Sequence, residues 1–208
     1  MANGKRRERE KQELRQRILD AARELFARDG YEAVTMRKIA DAIEYSPTAL
    51  YFHFQDKETL VRELCGEDFL TLAKAFQRIA REPDPVERLR KAGHAYVEFG
   101  LSHPNHYRLM FMTPRAHDKD PELVDKGNPE QDAYAFLRGA VGEALQAGRL
   151  RDDLKDPEVA SQALWSAVHG VVSLIIARGS DPWIDWRPAR KTAQLVVDAM
   201  LRGLAKEG

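Results

Sequence analysis

The sequence predicts an all-α fold of about nine helices, with a three-helix unit of helix-turn-helix spacing at the front and a larger helical bundle behind it. Three observations carry this expectation. No stretch sustains the alternation of apolar and polar residues that a strand requires. Apolar residues instead recur at helical spacing from residue 18 to about residue 204. Two short helical patterns, 36–43 and 47–54, are separated by only three residues, Glu44, Tyr45 and Ser46. With 208 residues, 43% of them apolar, the chain can bury a core.

The elements follow in order. Ile18, Ala21, Ala22, Leu25 and Phe26 lie on one helical face, and Asp29-Gly30 ends that helix at residue 28. Thr35 caps the second helix and Ser46 the third, with Pro47 in its first turn. These make three very short helices at the front. Asp56 caps a longer fourth helix running through Leu60, Leu64, Phe69, Leu72 and Phe76 to Ile79. After Pro83-Asp84-Pro85 a fifth runs from Val86 to Leu101 and halts at His103-Pro104. Tyr107 to Met112 is a short apolar stretch. Residues 113–128 are polar, with two prolines and a glycine, and read as a loop. Further helices span about 130–147, 157–179 and 189–204. The expected domains are 1–60, with a basic N-terminal arm, and 61–208.

Charge and composition exclude several classes. The 33 basic residues equal the 33 acidic ones. The distribution is uneven, because residues 1–17 carry seven basic side chains against three acidic. Such a run serves as a solvated tail or as a phosphate-contacting arm, and charge alone does not choose. Residues 1–60 hold twelve basic and eleven acidic side chains. The start of the chain has no apolar signal segment, and no run approaches the roughly 18–20 apolar residues of a membrane span. The expected compartment is the cytoplasm, with no membrane partner. The single Cys65 excludes an intramolecular disulfide and a cysteine pair for zinc. No nucleophile elbow, zinc-protease or phosphate-loop motif is present, so no enzyme and no cofactor are expected. His103-Pro104-Asn105-His106 offers two imidazoles, but Pro104 breaks the helix that would align them, so no metal is expected.

The helix pair carries the function. Its second helix is of the kind that enters the DNA major groove. Ile39, Ala40, Ile43, Leu50 and Phe54 form its inner face. The outer face presents Pro47, Thr48, Ala49, Tyr51, Phe52 and His53. Here the sequence resembles the TetR/AcrR family of bacterial transcriptional regulators. The resemblance runs from Ile18 through Gly30-Tyr31, continues over Val34–Ala40, and closes with Ser46–Leu60. Where many members have glycine in the turn, this chain has Glu44. The resemblance implies DNA contacts from Thr35, Arg37, Ser46, Pro47, Thr48, Ala49, Tyr51, His53 and Lys57. Thr35, Tyr51, His53 and Lys57 would face phosphates; Pro47, Thr48 and Ala49 would face bases.

One such helix reads about half a turn of DNA, so a two-fold homodimer on a near-palindromic operator is expected. The last two helices supply the surface, through Val159, Ala163, Val171 and Leu174 on one, and Ala193, Val196, Val197, Met200 and Leu201 on the other. The family resemblance further implies a small-molecule effector within the bundle. Candidates to line its site are Tyr96, Phe99, Tyr107, Met110, Phe111, Tyr134, Leu137, Val141, Trp165 and His169. Trp165 to Gly170 looks like the signature of one C-terminal subgroup, with Gly170 allowing close helix approach. No Lys/Arg cluster accompanies them, which favours an apolar effector. The expected function is a repressor released from its operator by that effector. The alternatives are an activator of the same family and a helical ligand-binding or interaction protein that has lost DNA binding.

Overall fold

The computed structural model describes residues 2–113 and 123–206, the side chains of residues 2 and 3 excepted. Residues 114–122, most of the expected 113–128 loop, lie outside the described residues. Nine α-helices are described: α1 (Ala2–Asp29), α2 (Met36–Ala42), α3 (Pro47–Tyr51), α4 (Lys57–Gln77), α5 (Pro85–Ser102), α6 (Pro104–Tyr107), α7 (Ala133–Gln146), α8 (Pro157–Arg178) and α9 (Ala189–Leu204). A π-helical turn, Arg108–Met112, follows α6. No strand occurs among the described residues, only an isolated antiparallel bridge between Leu150 and Ala205. The chain divides into two compact units, residues 1–68 with 105–123, and 69–104 with 124–208. Residue 60, the expected domain boundary, lies within α4.

The first helix departs from expectation. It is not a short helix of residues 18–28 but a 28-residue one that begins at Ala2. Residues 5–17 are strong helix formers joined along the surface by Arg6–Glu10 and Arg9–Glu13 ion pairs one turn apart. Such a segment has no apolar stripe, so apolar periodicity does not reveal it. The third helix is shorter than expected, because after Tyr51 the chain closes a turn in which His53 and Phe54 both donate to the Leu50 carbonyl.

In the first unit, Ile18, Leu19, Ala22, Ile39, Leu50 and Leu60 are among the fully buried residues. Arg15 pairs with Glu63 and lies over the Phe54 ring. Arg17 donates to the Ile43 carbonyl at 3.2 Å. Buried Asp68 accepts from Arg23 at 3.1 Å and faces His106 Nδ1 at 2.8 Å.

In the second unit, α5 packs against α7, α8 and α9, and α8 packs against α7 and α9. The close helix approach falls at Gly93, not Gly170. A Cβ on Gly93 would sit 3.0 Å from Val197, whereas a Cβ on Gly170 would meet nothing within 4 Å. Of the expected dimer surface, Val171, Ala193, Val197 and Leu201 belong to this unit's own core, while Val159 and Leu174 are exposed. Leu195, which the apolar pattern did not single out, is exposed as well. By length and composition α8 is long and apolar enough to cross a membrane. Counting uninterrupted apolar residues misses this, because Ser161, Gln162, Ser166 and His169 divide the run. Within the bundle, Ala160, Val168, Val171 and Val172 of this helix are buried, while Val159 and Leu174 are not.

Candidate nucleic-acid interface

Two capping hydroxyls set the helix pair. Thr35 Oγ1 accepts the Lys38 amide at 3.2 Å, and Ser46 Oγ accepts the Ala49 amide at 3.2 Å. Each hydroxyl keeps its own O–H to donate outward, and both residues are exposed. Between them α2 closes with Glu44 amide donating to Asp41 and Tyr45 amide to Ala40. This is the Schellman pattern, which needs a left-handed residue at its turn. Glu44 supplies it at φ 61°, so the turn is intact although the residue there is not glycine.

The expected contact residues fall as follows. Arg37, Thr48 and Tyr51 are exposed, and Pro47 and Ala49 are half-buried at the start of α3. Leu50 and Phe54 are buried beneath them. His53 is half-buried, and its Nδ1 is enclosed without a hydrogen-bond partner. Burial first, then the charges of Lys11 and Arg15, hold its pKa below the ordinary value, so the ring is neutral near pH 7. Phe52, outside the expected contact set, is 83% exposed at the end of α3.

Lys57 is placed differently. Its Nζ donates to the Tyr31 and Val34 carbonyls, each at 3.1 Å, and sits 4.0 Å from the centre of the Tyr31 ring. The ammonium fastens the α1–α2 connection to the start of α4 instead of standing out toward a phosphate. Sequence spacing reveals a lysine at a helix start but not three competing partners for its protons. Arg15 and Arg17, counted in the arm by charge alone, likewise act as internal fasteners.

The ten effector candidates do not form one group. Tyr107, Met110 and Phe111 lie in the first unit, with Tyr107 and Phe111 ring centres 4.8 Å apart. Phe99 and Val141 are core residues of the second unit, and Leu137 is half-buried. Four others form a connected polar cluster there. Trp165 Nε1 donates to Tyr96 Oη at 3.0 Å, and Tyr96 Oη lies 3.0 Å from His169 Nδ1. Tyr134 packs its ring on Trp165 at 5.7 Å and donates to Glu158 at 2.5 Å. Burial lowers the His169 pKa, which favours the neutral ring in this cluster. Two open hollows lie elsewhere. One of about 430 Å³ is lined by residues that include His94, Glu98 and Arg190. The other, of about 270 Å³, is lined by residues that include Tyr31 and Arg108. None of the ten candidates lines either. Among the described residues no three His, Cys, Asp or Glu side chains gather as a metal site. His103 turns to the Phe99 carbonyl while His106 turns to Asp68.

A capped helix pair whose second helix has an exposed outer face, together with a separate helical bundle, defines a helix-turn-helix DNA-binding regulator. The chain belongs to the tetR family of bacterial regulatory proteins, whose family model matches residues 18–64. Residues 89–201 match the tetracyclin repressor-like C-terminal domain. Over 170 residues the chain is 43% identical to the HTH-type transcriptional repressor AcnR of Corynebacterium efficiens, covering 80% of this chain and 84% of that one. It is 35% identical over 172 residues to the HTH-type transcriptional regulator UidR of Escherichia coli, covering 81% and 84%. A TetR family transcription regulator from Marinobacter aquaeolei shares the fold, with a TM-score of 0.70 at 22% identity, covering 97% of this chain and all of that one.

Proposed function

We propose that the protein is a homodimeric repressor that binds a near-palindromic operator in double-stranded DNA and leaves it when a small, largely apolar molecule enters the C-terminal bundle. It acts in the cytoplasm, where its DNA target is. The carrying observation is the outer face of α2 and α3. Thr35, Arg37, Ser46, Thr48 and Tyr51 stand exposed on a pair whose inner residues, Ile39, Ala40 and Leu50, are fully buried. Compact side chains at the start of α3 allow close approach to base edges, and hydroxyls at both caps suit phosphate oxygens. The exposed Val159, Leu174 and Leu195 support pairing of two copies through α8 and α9. The Tyr96–Trp165–His169 cluster supports an effector site in the bundle with few, directed polar contacts.

The test is binding of the full-length protein to DNA from upstream of its own gene, read by fluorescence anisotropy against random DNA. A specific complex of two chains per site is expected. Tyr51→Phe, which removes only a hydroxyl, is expected to weaken operator and random DNA alike by about fivefold. Absence of a specific complex at any salt concentration would favour a ligand-binding protein without DNA function.

A further inference from the structure

The positive side chains of the first 60 residues are mostly consumed within the protein. Of twelve, Arg6, Arg9, Arg15, Arg23 and Arg28 form ion pairs. Arg17, Lys38 and Lys57 donate to backbone carbonyls. The side chains of Lys5, Arg7, Lys11 and Arg37 make no ion pair or hydrogen bond among the described residues. Arg37 is on α2. The other three belong to the N-terminal turns of α1.

Arg7 and Lys11 stand one turn apart, on the stripe that continues along α1 as Leu14, Ile18, Ala22 and Leu25. Farther along, that stripe is buried against the rest of the first unit. Its cationic start therefore faces the same side as α2 and α3, not away from them. One turn beyond Lys11, the Arg15 guanidinium lies 4.8 Å from the centre of the Phe54 ring, which places this segment beside the residues that follow α3. The Arg6–Glu10 and Arg9–Glu13 pairs lie on the remaining faces and cancel one another there. Arg15 ties α1 to Glu63 of α4, and Arg17 ties it to the end of α2, so the segment is braced where it leaves the core. Its ten exposed residues, 4–13, extend roughly 15 Å. That is comparable with the width of the major groove, about 12 Å.

We propose that residues 4–13 form a rigid helical arm whose Arg7–Lys11 face grips the phosphate backbone of DNA flanking the half-site read by α3. The occupant is DNA because the face is cationic and leads into the Arg15–Phe54 contact beside α3. This rests on the operator-binding reading. The contact is independent of sequence and lengthens the footprint beyond the bases that α3 can reach.

The test measures salt dependence of binding on three duplexes: the upstream DNA with a helical turn of flank on each side, the same site trimmed of its flanks, and random DNA of the longer length. Arg7→Gln with Lys11→Gln is expected to flatten the log–log salt slope on the flanked duplex by about three to four, two phosphates per subunit in a dimer. On the trimmed duplex the variant should match the unaltered protein. Arg6→Gln with Arg9→Gln, equal in charge change but on the other faces, should keep most of the slope. Equal losses in the two variants, or an unchanged slope for Arg7 and Lys11, overturn the arm. Should the unaltered protein show no specific complex, the repressor reading fails, while the slope on random DNA still decides the arm. Both variants lie on exposed helix, and an unchanged melting temperature confirms that folding is intact.

Discussion

The α2–α3 face and the α8–α9 face both leave large side chains in solvent, but of different kinds. The first exposes Tyr45, Tyr51 and Phe52 beside capping hydroxyls. Two of those three rings end in a phenol that can donate to an anion. The second exposes Val159, Leu174 at 55% and Leu195 at 64%, none of which can make a hydrogen bond. Between α8 and α9, Trp183 is 93% exposed beside Ile184. Exposed area alone therefore says little about a partner. Rings with polar tips suit a surface of phosphates and base edges, and plain aliphatic groups suit another copy of the same apolar surface.

The largest expected effect breaks this comparison on its aliphatic side. Leu174→Arg places a charge on the α8 face, near the end of that helix, without touching the core, because the residue is already half in solvent. Sedimentation is expected to show monomers where the unaltered protein shows dimers. Operator affinity should fall on the order of 100-fold, as the second half-site contact loses its tether. A variant that remains dimeric with full operator affinity would place the self-association surface elsewhere.

A smaller effect sharpens the comparison on the DNA side by asking whether Lys57 belongs to the surface or the interior of its unit. With two carbonyls and a ring around its ammonium, Lys57→Met is expected to cost about 1–3 kcal/mol of stability, read by denaturant unfolding. The salt slope of DNA binding should stay as it was. The opposite pattern, unchanged stability with a slope reduced by about one per subunit, would make Lys57 a phosphate ligand.

Much of this was legible because each readable feature has a local cause. The caps at Thr35 and Ser46, the buried Leu50 and Phe54, and the bounds of α9 follow from propensity and spacing. What stayed hidden depends on partners distant in sequence. Helix α1 extends to residue 2 through surface ion pairs that carry no apolar signal. Lys57 and Arg17 are claimed by carbonyls of neighbouring connections. Gly93, an unremarkable glycine in the sequence, is where Val197 comes closest. The apolar residues of α8 and α9 divide between interior and surface according to which flank each neighbouring helix covers, so the pattern that located both helices did not assign their exposed residues.

The smallest expected effect compares the two units at matching helix ends. Helix α7 finishes as α2 does, with Gly148 amide donating to Leu145 and Arg149 amide to Ala144. Gly148 takes φ 63° and Glu44 takes φ 61°. The geometry is the same, but only the glycine adopts it without crowding a Cβ. A left-handed L-residue costs about 1–2 kcal/mol, and a glycine gives back about 0.4–1 kcal/mol through its looser unfolded chain. Glu44→Gly should therefore stabilise the protein by about 0.5–1 kcal/mol, or about 2 °C in melting temperature for a chain of this size. Gly148→Ala should lose a similar amount. DNA affinity should change little, since the turn already has the conformation that glycine would favour. A Glu44→Gly variant that melted lower would show that the glutamate side chain, not only its backbone, holds the turn.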